Sequence, residues 1–377
     1  MAKRILILSI SAGAGHLRAA EATAKAFHIV DPSLQIENFD MLDFTNKLFQ
    51  QLYSKAYIKL AGSAPEFVGY LYDRLDRPPR NHRDFGGDLR RAFDKLNTRR
   101  FVKYIEKTKP DVIVNTHFLP AEIVSELKCT GRMDIPQAVI TTDFEAHRMW
   151  AVPNVDQYYV ATEESRNYLV ALGVPSEIIS ITGIPIDPAF GEKTEKDNSR
   201  LHLGLRADFP VILVLCGGFG VGPLENIVEQ LLETDAACQI AVVTGRNKKL
   251  KAKLQKVKAG NHHSLRIIGY TREMHTWMDA ADLLISKPGG LTTSEALAIG
   301  LPMLVVNPIP GQESRNSDFL LENGAAVKAN NLLTLKHKVE GLLKSARRLR
   351  SLSSKAASLG RPHAAVAVAE HVLSLLK

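Results

Sequence analysis

The chain has 377 residues, of which 45% are apolar and 23% charged, and its formal net charge is +8. That length suits two domains better than one, and the apolar share is enough for two sizeable cores. No stretch approaches the roughly 18 consecutive apolar residues of a membrane-spanning helix, and the cysteines Cys129, Cys216 and Cys238 show no metal-ligand spacing and fit a reducing cytoplasm.

The first apolar run, 4–10, follows Lys3-Arg4 and stops at Ser11-Ala12-Gly13. It is too short for a signal peptide and reads as a strand. Further strands are expected at 35–39, 112–115, 137–141, 157–160 and 178–181. A second set follows at 211–216, 239–243, 265–268, 282–286 and 302–306. Stretches of helical period such as 19–30, 224–233, 292–299 and 313–322 separate them. Such alternation predicts an α/β protein with parallel sheets covered on both faces.

The turn formers Gly183-Ile184-Pro185-Ile186-Asp187-Pro188 and the polar stretch 192–200 place a linker at about 184–205. The expected organisation is therefore two Rossmann-like domains, 1–190 and 205–345, facing across a cleft, with C-terminal helices over 346–377. Ligands of such sheets sit at the carboxyl ends of the strands.

Charge is uneven. Nine Lys/Arg stand against four acids between Arg74 and Arg100, and Arg77, Arg80 and Arg83 lie in this run. A concentrated basic segment attracts phosphate, whether of nucleic acid or of anionic lipid. Just before it come Tyr53, Tyr57, Phe67, Tyr70 and Tyr72. Aromatics beside a basic run suit a membrane interface, and they also suit a local core.

Three strand ends carry candidate chemistry. The first runs into Ser11-Ala12-Gly13-Ala14-Gly15-His16. Small residues let backbone approach a ligand, and the helix start offers free N–H groups. His16 at this turn is a candidate general base, expected to titrate near neutrality. The other reading is a surface or capping histidine. The second device is Gly217-Gly218-Phe219-Gly220-Val221-Gly222 after a strand, a pattern for close approach to phosphate.

The third is Lys287-Pro288-Gly289-Gly290-Leu291-Thr292-Thr293, which turns into a helix carrying Glu295. Its N–H and hydroxyl groups suit a diphosphate, and Glu295 suits a ribose diol, although taken alone it reads first as an acid complementing the helix dipole. Gln312 and Glu313, after the next strand, are placed to bond sugar hydroxyls or to cap a helix. Arg246, after the strand at 239–243, is a candidate cation for the diphosphate and reads equally as a solvent-facing one.

The residues from 269 to 324 resemble the donor half of the GT-B glycosyltransferases. The resemblance is to glycosyltransferase family 28, the branch of monogalactosyldiacylglycerol synthases and processive diacylglycerol glucosyltransferases. It rests on Gly269-Tyr270, Trp277-Met278, Ala281-Asp282, Lys287-Pro288-Gly289-Gly290, Ser294-Glu295-Ala296, Gly311-Gln312-Glu313 and Asn316. Residues 9–20, Asn115-Thr116-His117, Thr141-Thr142-Asp143-Phe144 and Trp150 extend it to nearly the whole chain.

The resemblance implies an inverting, metal-independent transfer from a UDP-sugar to a lipid hydroxyl. No cofactor is expected. It makes His16 the base, Glu295 the ribose clamp, and Gln312 and Glu313 the sugar readers. The diphosphate falls to 217–222, with Gly217, Gly218 and Gly220, and to 289–293, with Gly289, Gly290 and Thr292; the chemistry adds Arg246 or Lys287 as a cation, and Gly15 is also expected on the donor. On the acceptor side the resemblance places His117, Asp143 and Trp150, and the aromatic and basic segment adds Tyr53, Tyr57, Arg77, Arg80 and Arg83 as membrane contacts. The partners expected are a UDP-sugar, a lipid acceptor and an anionic membrane surface, with no nucleic acid. The place expected is the cytoplasmic face of the cell membrane, as a peripheral protein.

Other readings remain open at this level. A transferase on a soluble acceptor or a nucleotide-sugar epimerase keeps the fold. A dinucleotide oxidoreductase would use residues 11–16 and Asp40, although no GxGxxG is present. A non-catalytic binding protein would hold a UDP-sugar without transfer.

Overall fold

The computed structural model of the protein describes residues 2–11, 13–45, 65–76, 98–192, 194–215, 223–260 and 262–376. The expectations at Tyr53, Tyr57, Arg77, Arg80, Arg83, Gly217, Gly218 and Gly220 lie outside the described residues. By internal contacts the chain forms two units. One comprises 1–188, 310–312 and 363–377, and the other 189–309 and 313–362.

Short, almost purely apolar strands are stable only when both faces are covered. In the first unit short apolar strands pair with one another and with a polar edge strand at 35–40: β1 (Arg4–Ser9), β2 (Gln35–Asp40), β3 (Val112–Asn115), β4 (Gln137–Ile140), β5 (Gln157–Val160) and β6 (Ile179–Ile181). Their order is β2-β1-β3-β4-β5-β6, and every pair is parallel. Ser9 lies opposite Asp40, and Leu8 opposite Asn115, so β1, β2 and β3 end along one edge.

The helices described in this unit are α1 (Ala14–Val30), α2 (Pro65–Asp76), α3 (Thr98–Thr108), α4 (Phe118–Cys129) and α5 (Glu163–Ala171). Side chains alternate across a strand. Ile5 and Ile7 therefore pack with Ala20 and Phe27 of α1, while Leu6 and Leu8 pack with Phe101 of α3 and Val124 of α4.

The second unit repeats the plan. Its strands are β7 (Val211–Leu215), β8 (Cys238–Val243), β9 (His263–Ile268), β10 (Leu283–Ser286), β11 (Met303–Val306) and β12 (Ala326–Ala329). They are parallel in the order β12-β11-β10-β7-β8-β9. β12 reads Ala-Val-Lys-Ala, an edge strand too short and mixed to be expected from its sequence.

The helices of this half are α6 (Lys196–His202), α7 (Leu224–Leu232), α8 (Lys248–Leu254), α9 (Met274–Ala280), α10 (Gly290–Ala298), α11 (Gln312–Glu322), α12 (Leu335–Leu343) and α13 (Ala346–Leu359). The last helix, α14 (Ala364–Ser374), belongs to the first unit, where Val368, Ala369 and Val372 pack beside α1. No described helix is long and apolar enough to cross a membrane.

The strand orders locate the candidate sites. The direction of winding reverses between β1 and β3 in the first sheet and between β7 and β10 in the second. Loops leaving the carboxyl ends of strands at such a reversal part to opposite faces and leave a crevice for ligand. The turn into His16 follows β1, and the turn into Gly289-Gly290 follows β10.

The polar stretch read as a linker contains α6, because Arg200 is buried. Its Nε donates to the Ala280 carbonyl at 3.0 Å, Nη1 to the Ala207 carbonyl at 2.9 Å, and Nη2 to Asp282 Oδ2 at 2.6 Å. Asp282 also accepts the Val211 N–H at 2.8 Å and pairs with Lys196 at 2.9 Å. Asp282 precedes β10 and therefore lies at the end of the sheet opposite the ligand loops. Without Arg200, Asp282 keeps Lys196 and the Val211 N–H, but the Ala280 and Ala207 carbonyls lose their donor, and a buried acceptor left unpaired costs its desolvation. Arg200→Leu is expected to destabilise the second unit by roughly 1–3 kcal/mol in denaturant unfolding. A loss below about 1 kcal/mol, the range of a surface pair, would refute the lock.

Candidate functional site

The helix starts come first, because they are what the strand ends present. The N-cap of α1 is Gly13, with no side-chain cap and no acid in the first turn. Its φ of 163° is extended backbone, and a Cβ there would meet nothing within 4 Å. The N-cap of α10 is Gly289, at φ −66° and ψ 143°, likewise uncapped and likewise facing open space. Neither conformation requires glycine, and neither site is crowded by protein. What glycine does at both is leave room for another group to reach the first N–H groups of the helix, which carry partial positive charge.

His16 sits in the first turn of α1, next to Gly15, and is half-buried. Its Nδ1 lies 2.8 Å from the Thr116 carbonyl and 3.0 Å from Thr142 Oγ1. A carbonyl only accepts, so Nδ1 carries the proton and Nε2 keeps its lone pair. Thr116 also donates through Oγ1 to the His16 carbonyl at 3.0 Å, clamping the turn to the end of β3. Burial lowers the pKa of His16 to about 4, against a smaller upward pull from the Thr116 carbonyl. The expected titration near neutrality is thus corrected: the ring is neutral throughout the physiological range because protonating it here costs hydration.

His117 and Trp150 stand behind this base. The His117 ring is 4.6 Å from that of His16, edge to face, and Trp150 is 6.3 Å from it. Both are buried. His117 Nδ1 accepts the Leu119 N–H at 3.1 Å and so caps α4. Burial first, and the nearby His16 second, hold its pKa well below the usual imidazole value. Asp143, half-buried, follows Thr142 in the same loop. Thr116 and Thr142 are the residues that sequence reading missed as partners of the base. Thr116 lies 100 positions from His16, and only the adjacency of β1 and β3 makes them neighbours.

A third histidine fixes α2. His147 Nδ1 accepts the Met149 N–H at 3.1 Å, and its Nε2–H donates to the Tyr72 carbonyl at 2.9 Å. Asp76 Oδ1 accepts the Arg148 N–H at 2.8 Å and the Tyr168 hydroxyl at 2.6 Å. With Tyr72 held inward, the other face of α2 presents Phe67 and Tyr70, 55% and 60% exposed, with Arg74 hydrogen-bonded to Tyr70.

In the second unit the loop between β10 and α10 is braced from α11. Asn316, fully buried, donates to the Pro288 carbonyl at 3.0 Å. Lys287 pairs with Glu313 at 3.1 Å, and the other Glu313 oxygen accepts the Ile309 N–H at 2.7 Å. Glu313 thus fastens two loops together, and Lys287 is partly neutralised. Gly290 opens the helix, Thr292 is half-buried in its first turn, and Glu295 is buried one turn further in. The hydroxyls of Thr293 and Ser294 are buried beside it with no hydrogen-bond partner among the described residues. Buried hydroxyls left in this state at a helix start are suited to a polar ligand. Gln312 is the first residue of α11. Arg246, exposed after β8, lies over the ring of Tyr270 after β9, 5.4 Å from its centroid. Tyr270 is 62% exposed, an open aromatic face at the carboxyl edge of the sheet.

Residues 16–186 match the family model of monogalactosyldiacylglycerol (MGDG) synthase, and residues 211–368 that of the glycosyltransferase family 28 C-terminal domain. A processive diacylglycerol beta-glucosyltransferase of Bacillus pumilus is 30% identical, over 98% of this chain and 94% of its own. The protein of the same name from Bacillus subtilis is 32% identical, over 90% of this chain and 87% of its own. Among solved structures, MurG of Acinetobacter baumannii superposes with a TM-score of 0.66 at 16% identity, covering 99% of each chain, a likeness of fold.

Nitrogen-15 NMR of labelled histidine checks the electrostatics of the site. At neutral pH the His16 signal is expected from a protonated Nδ1 and a bare Nε2, with a titration midpoint at about 4. A midpoint near 6.5, the value of a solvated imidazole, would mean that the ring is not shielded as described.

Proposed function

Because the chain belongs to glycosyltransferase family 28, with the MGDG synthases and the processive diacylglycerol beta-glucosyltransferases, we propose that it moves a hexose from a UDP-sugar to the hydroxyl of diacylglycerol or a related lipid. In this reading the transfer inverts the anomeric centre, needs no metal ion and takes place at the inner face of the cell membrane. The first unit takes the acceptor and the second the donor.

The observation that carries the reading is the state of His16: a neutral imidazole, Nδ1–H bound to the Thr116 carbonyl, Nε2 unprotonated at the end of β1. Inversion requires a base on the acceptor hydroxyl. As the acceptor oxygen bonds to the anomeric carbon, the bond from that carbon to the diphosphate oxygen breaks. The electron pair leaves with UDP, and the acceptor proton passes to Nε2. The resulting imidazolium keeps its Nδ1–H bond to the Thr116 carbonyl and Thr142. A base of low pKa takes the proton late, once the acceptor oxygen has become acidic through bonding.

The departing UDP gains negative charge. The uncapped N–H groups at Gly289-Gly290, with the hydroxyls of Thr292 and Thr293, are suited to receive it without a cation. Glu295 is assigned to the ribose. Arg246 and Tyr270 offer a stacking face for the base of the nucleotide. Gln312 is assigned to the sugar, and Glu313 acts on it while holding Lys287 in place. The exposed face of α2, with Phe67, Tyr70 and Arg74, supports contact with lipid.

Incubation with UDP-glucose or UDP-galactose and diacylglycerol vesicles, followed by mass analysis, is expected to yield a glycosyl lipid, unchanged in yield by EDTA. Release of an epimerised UDP-sugar in place of lipid product would favour an epimerase. His16→Asn is expected to abolish transfer while UDP binds within about twofold of wild type, since the loss falls on the transition state alone. Glu295→Gln should weaken UDP binding by roughly 1–3 kcal/mol, the range for a hydrogen bond to a charged group. The acid limb of kcat/KM should fall at about pH 4, because protonation of His16 removes the base. A limb near 6.5 would assign the base to another group.

A further inference from the structure

Beyond Arg246, the cations that follow β8 in the second unit have no part in the transfer. Residues 246–258 hold seven cations, Arg246 and six lysines at 248, 249, 251, 253, 256 and 258, and no acid. That is +7 in thirteen residues of a chain whose net charge is +8. The segment contains α8, which packs inward through Leu250 and Leu254, with Val257 following on the same core. Lys248, Lys249, Lys253, Lys256 and Lys258 are exposed. Among the described residues, Lys253 pairs with Glu225, and the other six cations have no carboxylate in ion-pair reach.

A solvated helical face is stabilised by opposite charges three and four residues apart. Here Lys248 and Lys251 are three apart, and Lys249 and Lys253 four apart. Both pairs repel, so the isolated fold bears this cluster at a cost that an external anion relieves. The anion is not the UDP of the donor site, which carries too few charges to match the exposed lysines. Nor do the lysines surround a hollow. They lie on a convex helix and the turn after it, where separate ammonium groups answer to a diffuse field of phosphates rather than to a single clamped ligand.

We propose that the lysine face 248–258 of the second unit docks on an anionic phospholipid surface. The inference rests on the lipid acceptor proposed above, since a diacylglycerol lies in such a surface. It gives the second unit a lipid contact of its own, beside the one proposed for α2 in the first. Juxtaposed lysines at a phospholipid surface act additively and lose their hold as salt rises.

The test is co-sedimentation of the full-length protein with vesicles of phosphatidylcholine, with and without phosphatidylglycerol. The variant carries Lys248→Gln, Lys249→Gln, Lys256→Gln and Lys258→Gln together. Its partition into phosphatidylglycerol vesicles is expected to fall at least ~30-fold at about 0.1 M salt. Transfer to a short-chain diacylglycerol in detergent micelles should be unchanged. A charge-matched variant, Arg347→Gln, Arg348→Gln, Arg350→Gln and Lys355→Gln on α13, should retain binding within about threefold, as its cations lie outside the face.

Wild-type-like vesicle binding by the lysine variant would overturn the proposal. Equal losses in the two variants would do so as well, since net charge would then suffice. So would binding of the wild type to a polynucleotide but not to vesicles. If the wild type transfers no sugar to any lipid, the proposed function fails, while the vesicle comparison still decides this surface.

Discussion

A parallel sheet brings the carboxyl ends of all its strands to one edge. Each strand then hands the chain to a helix whose first N–H groups point back toward that edge. This constraint acts in each unit of the protein. It sets Gly13 and His16 after β1, Gly289 and Gly290 after β10, and Arg246 and Tyr270 after β8 and β9. The opposite edge is used differently. There Arg200, Asp282 and the Val211 N–H close a buried network that joins α6 to the sheet. The Ala281-Asp282 pair carried part of the family resemblance, yet its aspartate holds the sheet together and lies away from the ligand loops.

The chemistry of the first unit depends on backbone more than on side chains. His16 is oriented by a carbonyl, and His117 and His147 each accept a main-chain N–H two residues ahead. These partners do not titrate, so the tautomers they impose do not change with pH. Among the described residues, the His16 Nδ1 is met by a carbonyl and a hydroxyl and by no acid. Dipoles of this kind orient an imidazole while stabilising its charged form less than a carboxylate does. Together with burial, that leaves the ring neutral, available as a base, and unable to hold a proton for long.

The alternation of strands and helices was legible because apolar runs and glycine-rich turns are local properties. The uncapped helix starts were legible too, since glycine at Gly13 and Gly289 is a chemical signal in itself. What escaped was set by distance along the chain or by burial. Thr116 reaches His16 only because β1 and β3 are neighbours. Trp150 and His117 were legible as candidate site residues, and their packing beside the ring of His16 was not. Arg200 stood in a polar run that looked like a linker, and burial of a single guanidinium turns that run into α6. β12 escaped because four residues, one of them lysine, carry too little pattern.

The placement of α14 has a consequence for how the protein is made. The first unit's core includes Val368, Ala369 and Val372, packed beside α1, while His371 reaches Tyr159 and the Leu376 carbonyl accepts from Lys3. A ribosome delivers β1 through β6 long before it delivers these residues. The N-terminal sheet therefore waits, one face incompletely covered, while the whole of the other unit is synthesised. The order of synthesis thus makes the first half to emerge the last to be finished, and its exposed apolar face a natural client for chaperones in the interval.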